Sequence, residues 1–435
     1  MPKDEHDSLG EPKLELQVTQ KEEPLEEPAA KPVQGPSFPD GGFRAWMTIV
    51  SCFLLSFTSY GQLNAYGVFQ TYYIENQLAD HSAADIAWIG NIQLGLMYLG
   101  GIVSGWAFDS YGSRTLLIIG WLLSTFSLMM LSLAKRYYQI ILSQGLGLGL
   151  GIAIQFYPLL SVPNHWFMRR RAFALGIVVA GSSLSGVIFP IMLSKLFQSI
   201  GFPWTVRTLA FMCFALQGIS IPFVKERFPP RAGVPLIDRS VYKDKPFLLH
   251  VISGFFIAFG LYTPFWYIEL YALREKINAN LAFYLISIMN AAGLLGRVSL
   301  GHVADKLGRF NIMICTIFLC IASVFAIWIT SHTVVELIFF ALIFGFASGA
   351  YLSISPSCTV QLTSDPTKIG SRVGIFMTGM APGILTGPSI AGALLSTDGG
   401  SYVGLQCFIG AFISASAVFA IMARLAGQPE LKQKF

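Results

Sequence analysis

Three observations predict an all-α integral membrane protein with twelve transmembrane helices in two six-helix pseudo-repeat bundles. Apolar residues fall in runs of about 20, the length that crosses a hydrocarbon core as helix. Hydrophobic residues make up 54% of the 435 and charged residues only 12%, against roughly 25% charged in an average soluble domain. A turn motif also returns half a chain later. Gly105-Trp-Ala-Phe-Asp109-Ser-Tyr-Gly112-Ser-Arg114 reappears as Gly301-His-Val-Ala-Asp305-Lys-Leu-Gly308-Arg309, its Gly, Asp and Gly at one offset of 196.

A second echo supports the duplication. Gly176-Ile177, Gly181 and Pro190 match Gly374-Ile375, Gly379 and Pro388 at an offset of 198, which needs only a two-residue change in loop length. Self-similarity over half a chain marks two structural repeats.

In chain order, residues 1–40 hold four Lys and ten Asp/Glu with scarcely any aromatics. Such a stretch cannot bury a core, so residues 1–42 are expected to form a disordered acidic cytoplasmic tail. It lacks the basic start and apolar run of a signal peptide, which leaves the first span to direct insertion. Twelve spans follow: 44–69, 85–108, 115–134, 138–163, 172–198, 203–224, 246–271, 281–304, 310–330, 334–360, 372–396 and 402–426. Backbone groups cannot stay unsatisfied in lipid, and the runs lack the period-2 alternation of a barrel, so they read as helices. The main polar break divides them into a bundle over 43–224, a cytoplasmic linker over 225–245 and a bundle over 246–426. A cytoplasmic tail over 427–435 ends the chain.

Lys and Arg set the orientation. With the N-terminus inside, 18 basic residues fall on the cytoplasmic side and six outside. Both termini are then cytoplasmic, in a multi-pass protein assigned to the plasma membrane. The six cysteines lie inside apolar runs, without CxxC spacing, and read as packing residues. The histidines mostly sit at loops and span ends without zinc spacing, so neither a metal site nor a cofactor is expected. No nucleophile–base pair appears beside the spans, which argues against an enzyme. The Gly147–Gly151 run lacks a following Gly-Lys-Ser/Thr and is no phosphate loop. Nothing suggests a nucleic-acid partner.

The paired turns need glycine for their sharp backbone, and their Asp and Arg can pair with each other or with neighbouring helix ends. Gly105, Asp109, Gly112 and Arg114, with Gly301, Asp305, Gly308 and Arg309, are therefore candidate gating residues. They resemble the signature turn of the major facilitator superfamily, G-x-x-x-D-x-x-G-x-R between spans 2 and 3, repeated between spans 8 and 9. Two leaders narrow the resemblance. Asp40-Gly41-Gly42-Phe-Arg-Ala-Trp46 precedes span 1. Trp166-Phe167-Met-Arg169-Arg170-Arg171-Ala-Phe-Ala-Leu-Gly176, continuing to Gly181, enters span 5. The two tryptophans suit the headgroup level, and the arginine cluster suits anionic lipid. Together the leaders are similar to the signatures of the monocarboxylate porter family, and Tyr66-Gly-Val-Phe-Gln-Thr-Tyr-Tyr73 resembles its fungal branch. The resemblance implies the major facilitator fold and alternating access around a midplane site, with the two turns latching the cytoplasmic side.

A charge at membrane depth is costly and needs a reason. Arg297 lies eight residues before Asp305, about 12 Å along a helix at 1.5 Å per residue. Positions 293 and 301, one turn to either side, are both Gly. Snorkelling to the inner interface competes with a role as a cation facing a central cavity, and the second reading is favoured. The resemblance implies the same, since monocarboxylate porters place a substrate arginine in this span. They also carry an aspartate where this chain has Gly293, and animal members a lysine at the level of Asn64. Those departures put lactate-type binding and proton coupling in doubt, although protons stay a candidate coupling ion. Further candidates for substrate contact are Tyr60, Asn64, Tyr66, Gln155, Tyr157, Tyr262, Trp266, Tyr267, Asn290 and Tyr351. Each is equally suited to interhelical bonding or packing.

The expected function is a secondary active or facilitative transporter of a small organic anion or a carboxylate-bearing or aromatic metabolite. Efflux of a fungal secondary metabolite is favoured. The rivals are uptake of a monocarboxylate or riboflavin-like nutrient, and a non-transporting membrane sensor on the same fold.

Overall fold

A computed structural model of the chain describes residues 38–230, 236, 239–363, 365–397 and 401–427. The acidic segment before residue 38, most of 231–238 and the end of the chain from 428 lie outside them. Among the described residues every expected apolar run is helical, and there is no strand.

The first span, α1, comes in three pieces, Phe43–Thr58, Gly61–Asn64 and Tyr66–Tyr72. Thr58 and Ser59 donate their hydroxyls back to Leu54 O and Leu55 O at 2.9 and 2.6 Å, a pattern that bends helices. The second, α2, is Ala83–Leu99 and Gly101–Tyr111, bent by 46° at Gly100. Helix α3 is Ser113–Leu131, and α4 is Gly149–Ser161, entered through a π-helical stretch at Ile141–Leu148. One helical run, Arg171–Ser220, contains both α5 (171–200) and α6 (202–220). It is broken at Gly201, whose φ of 72° lies outside the right-handed region.

In the second half, α7 is Lys245–Leu261 and Thr263–Arg274, parted at Tyr262, with Pro264 opening the second piece. Then follow α8 (Ala279–Leu307), α9 (Arg309–Ala322), α10 (Val334–Gln361), α11 (Ile369–Thr397) and α12 (Val403–Gly427). Among the described residues, nine helices are long and apolar enough to cross a membrane, ten when bent α2 counts as one crossing. The shared run of α5 and α6, and the short pieces of α1, account for the difference from twelve.

Large apolar side chains such as Phe126, Ile219, Leu295 and Val335 lie on the outside, as a lipid-facing surface requires. Inside, α1 packs on α5, α8 on α10, and α7 on α11 and α12. Two further pairs, α2 with α11 and α5 with α8, carry the contact between the bundles. Glycines set their spacing. A Cβ on Gly374 would stand 2.1 Å from Gly101 O, and one on Gly176 would stand 2.2 Å from Arg297 O. Only bare backbone fits at either crossing.

Candidate functional site

The two repeated turns are built alike. Gly112 and Gly308 have φ of 81° and 101°, a left-handed backbone that other residues resist. Each turn then presents its aspartate to a helix of the opposite bundle. Asp109 accepts from Gly370 N at 2.9 Å, Ser371 N at 2.7 Å and Ser371 Oγ at 2.5 Å, at the start of α11. Asp305 accepts from Ala172 N at 3.0 Å and Phe173 N at 2.9 Å, at the start of α5. A carboxylate at a helix N-terminus satisfies orphan N–H donors and faces the positive end of the dipole. Of the two pairings open to each aspartate, Asp109 takes the helix end, and Asp305 takes the helix end together with its own arginine.

The arginines of the turns differ. Arg309 pairs with Asp305 at 3.0 Å and also donates to Met168 O at 2.6 Å, across the seam. Arg114 is exposed. At its turn Glu226 accepts from Ser113 N, and near the start of α7 Arg372 pairs with Asp244 at 2.6 Å.

The two leaders bind each other. Asp40 Oδ1 accepts from Met168 N and Arg169 N at 2.7 Å each, and from Arg170 N at 3.4 Å. Trp46 packs edge-on to Phe167 at 5.1 Å and Phe173 at 6.2 Å, and Trp166 Nε1 donates to Lys225 O at 2.8 Å. Both indoles, suited by sequence to the headgroup level, thus also have protein partners. The arginine cluster is corrected in part. Arg169 and Arg170 are exposed, whereas Arg171 is buried and donates to Phe167 O. Phe38–Gly42, grouped with the tail on composition, are also tied down: Asp40 N donates to Trp166 O, and Phe38 meets the Phe228 ring at 5.8 Å.

Deeper in the seam, three tyrosine hydroxyls join. Tyr262 Oη is 2.8 Å from Tyr60 Oη and 2.6 Å from Tyr98 Oη. All three sit where their helices break: Tyr60 between pieces of α1, Tyr98 just before the bend of α2, and Tyr262 between pieces of α7. Arg297 on α8 is close enough to interact electrostatically with all three. Its Nη1 donates to Val179 O and Ser182 Oγ at 3.0 Å each, and to Ser183 Oγ. The residue is 5% exposed, and its Nε has no partner among the described residues. Asn64 reaches the same point of α5, donating to Ser182 O at 2.8 Å. Asn290 packs against Gly186 on that face and donates to Ile286 O of its own helix.

Other candidates go elsewhere. Tyr66 donates to Ile86 O at 2.5 Å, near the start of α2. Gln155 points at Ser124 Oγ of α3, 3.3 Å away, inside the first bundle. Tyr157 donates to Met97 O and Tyr98 O at 2.8 and 3.2 Å, bracing the α2 bend. Tyr267 donates to Pro388 O at 2.9 Å, and Trp266 is half-buried against the apolar core. Tyr351 is fully buried. His250 is fully buried within α7, its Nε2 3.2 Å from Ser355 O and Thr359 Oγ1 and its ring stacked on Phe376.

Tyr98, Ser182, Ser183 and Thr378 were missed. Ser182, Ser183 and Thr378 adjoin the repeated glycines Gly181 and Gly379, but only position on the seam distinguishes these four from other polar residues in the apolar runs.

Two six-helix bundles meet at capped helix ends on one side and share a polar cluster at broken helices farther in. That construction defines a transmembrane transporter of the alternating-access kind. The chain belongs to the major facilitator superfamily, whose family model matches residues 52–365. It is 40% identical over 398 residues to an MFS-type transporter of Gibberella moniliformis, covering 91% of this chain and 94% of that one. The aspyridones efflux protein apdF of Emericella nidulans is 36% identical over 411 residues, covering 94% and 83%. The fujikurins efflux protein of Gibberella fujikuroi is 36% identical over 401, covering 90% and 84%. Among solved structures, the human organic anion transporter MFSD10 superposes with a TM-score of 0.72 at 12% identity, over 88% of this chain and all of that one. That likeness concerns the fold.

Proposed function

We propose that this transporter exports a small organic anion, a carboxylate-bearing or aromatic secondary metabolite, across the plasma membrane with both termini in the cytoplasm. The observation that carries the anion is Arg297. It is a buried cation beside three hydrogen-bonded tyrosines, and among the described residues its Nε lacks a partner and no acidic residue is bonded to it. A guanidinium held by neutral serines keeps its charge uncompensated and suits an incoming carboxylate. The tyrosine rings and half-buried Trp266 offer surface for an aromatic body. The efflux proteins named for aspyridones and fujikurins, each alike over nine-tenths of this chain, favour export over uptake. Protons are the coupling ion to test.

Arg297→Lys keeps charge but loses the planar fork, and transport should weaken substantially. Arg297→Gln should abolish most transport of anions while sparing expression, since a neutral side chain is cheaper to insert. Flux of a carboxylate substrate and its neutral ester is compared in vesicles carrying each variant. Equal losses for both compounds, or wild-type flux in Arg297→Gln, would remove the counter-charge role.

A further inference from the structure

The bend in α2 is held open from the other bundle. In a continuous helix, Ile102 N would donate to Tyr98 O, four residues back. Here Ile102 N donates to Thr378 Oγ1 at 3.2 Å, and the same hydroxyl donates to Tyr98 O at 3.2 Å. Thr378 belongs to α11, across the seam. A side-chain hydroxyl set into a helical ladder is a recognised cause of sharp kinks, and this one coincides with the 46° bend. The neighbouring rung is also attended, since Tyr157 Oη donates to Met97 O and Tyr98 O. Tyr157 comes from α4 of the same bundle, so Thr378 supplies the link that crosses the seam.

We propose that Thr378 is a positioning residue that couples closure of the cytoplasmic gate to assembly of the tyrosine site. It reaches α2 only because Gly101 and Gly374 bring the two backbones together, with a Gly101 Cβ falling 2.6 Å from Thr378 Oγ1. The same helix pair carries the Asp109 cap on Gly370 and Ser371. When the bundles part on that side, Thr378 leaves with α11. Ile102 N then loses its acceptor, Tyr98 O keeps a lone pair beside its Tyr157 bond, and the rung between them closes as α2 straightens. Straightening turns Tyr98, the residue at the bend, away from Tyr262. The site is complete while the gate is shut and dismantled when it opens, which gives the substrate state-dependent contacts of the kind that coupling requires. This inference rests on the tyrosine cluster being the transport site, and on Tyr98 as a member of it.

The test uses full-length protein in nanodiscs, with exposed Cys315 and Cys407 replaced by serine and spin labels on cysteines at exposed Tyr111 and Leu307. Distances across the cytoplasmic side are read without substrate. Thr378→Val keeps the shape and removes the hydroxyl, and should raise the open population about fivefold or more, the worth of roughly one hydrogen bond. Thr378→Ser should restore the wild-type distribution. A wild-type distribution in Thr378→Val would overturn the proposal, and so would equal shifts in both variants, which would assign the position to packing. Tyr98→Phe flux is measured in parallel. Unchanged flux there with a shifted distribution in Thr378→Val would remove Tyr98 from the transport site and leave the hinge standing.

Discussion

Asp109 and Ser371 are joined twice, through the serine backbone N–H at 2.7 Å and its hydroxyl at 2.5 Å, across the seam between the two bundles. Asp305 makes the mirrored cap on α5 but adds the Arg309 pair. The two caps share a design and differ in the groups that support them.

Asp109→Asn should therefore open the cytoplasmic side while leaving the protein folded. Charge-assisted bonds of this kind are worth about 1–3 kcal/mol, enough to move a near-balanced equilibrium roughly five- to hundredfold. Asp305→Asn should act in the same direction and also remove the charge partner of Arg309. Labelling of cysteines placed on both sides of the membrane reads the shift, and unchanged labelling in both variants would reduce the turns to connections.

Gly374→Ala should prevent closure on that side, because its Cβ would stand 2.1 Å from Gly101 O with only backbone to yield. The expected outcome is normal insertion, loss of most transport and a protein labelled persistently from the cytoplasm. Gly67→Ala makes the control, since nothing lies within 4 Å of a Cβ there. Comparable flux in the two variants would contradict the packing argument.

Tyr262 bonds two hydroxyls and Tyr60 one of them. Tyr262→Phe removes both bonds, so its loss of apparent affinity should exceed that of Tyr60→Phe by about fivefold, at roughly 1 kcal/mol per bond. Concentration-dependent efflux into inverted vesicles measures this. Equal apparent affinities would separate the hydrogen-bonded triad from substrate binding.

Deleting residues 2–35 should leave flux per surface-expressed molecule within about tenfold of wild type, given the acidic, proline-rich composition of that segment. Asp40→Ala should behave differently. It strips the acceptor from three backbone N–H groups at 168–170. A cost of about 1–2 kcal/mol is expected for losing a cap of this sort. A lowered thermal midpoint in detergent checks it, with Asp40→Asn intermediate.

The sequence by itself determined the twelve apolar runs, the duplication and the importance of the two turns. These follow from local rules: span length is set by bilayer thickness, and a repeated Gly-x-x-x-Asp-x-x-Gly needs no partner to be seen. Positive φ at Gly112 and Gly308 is of the same local kind. Which partner each polar group takes was decided only by tertiary structure. Asp40 and the 168–170 backbone are more than a hundred residues apart, as are Thr378 and the α2 bend. Gln155 and Tyr157, two residues apart on one helix, face a neighbouring helix and the α2 bend respectively. Inside a bilayer an unpaired polar group is expensive, so each side chain settles on whichever donor or acceptor the packed helices bring within reach. That reach is a property of helix crossings, and crossings are set by glycines from both halves at once, such as Gly101 against Gly374.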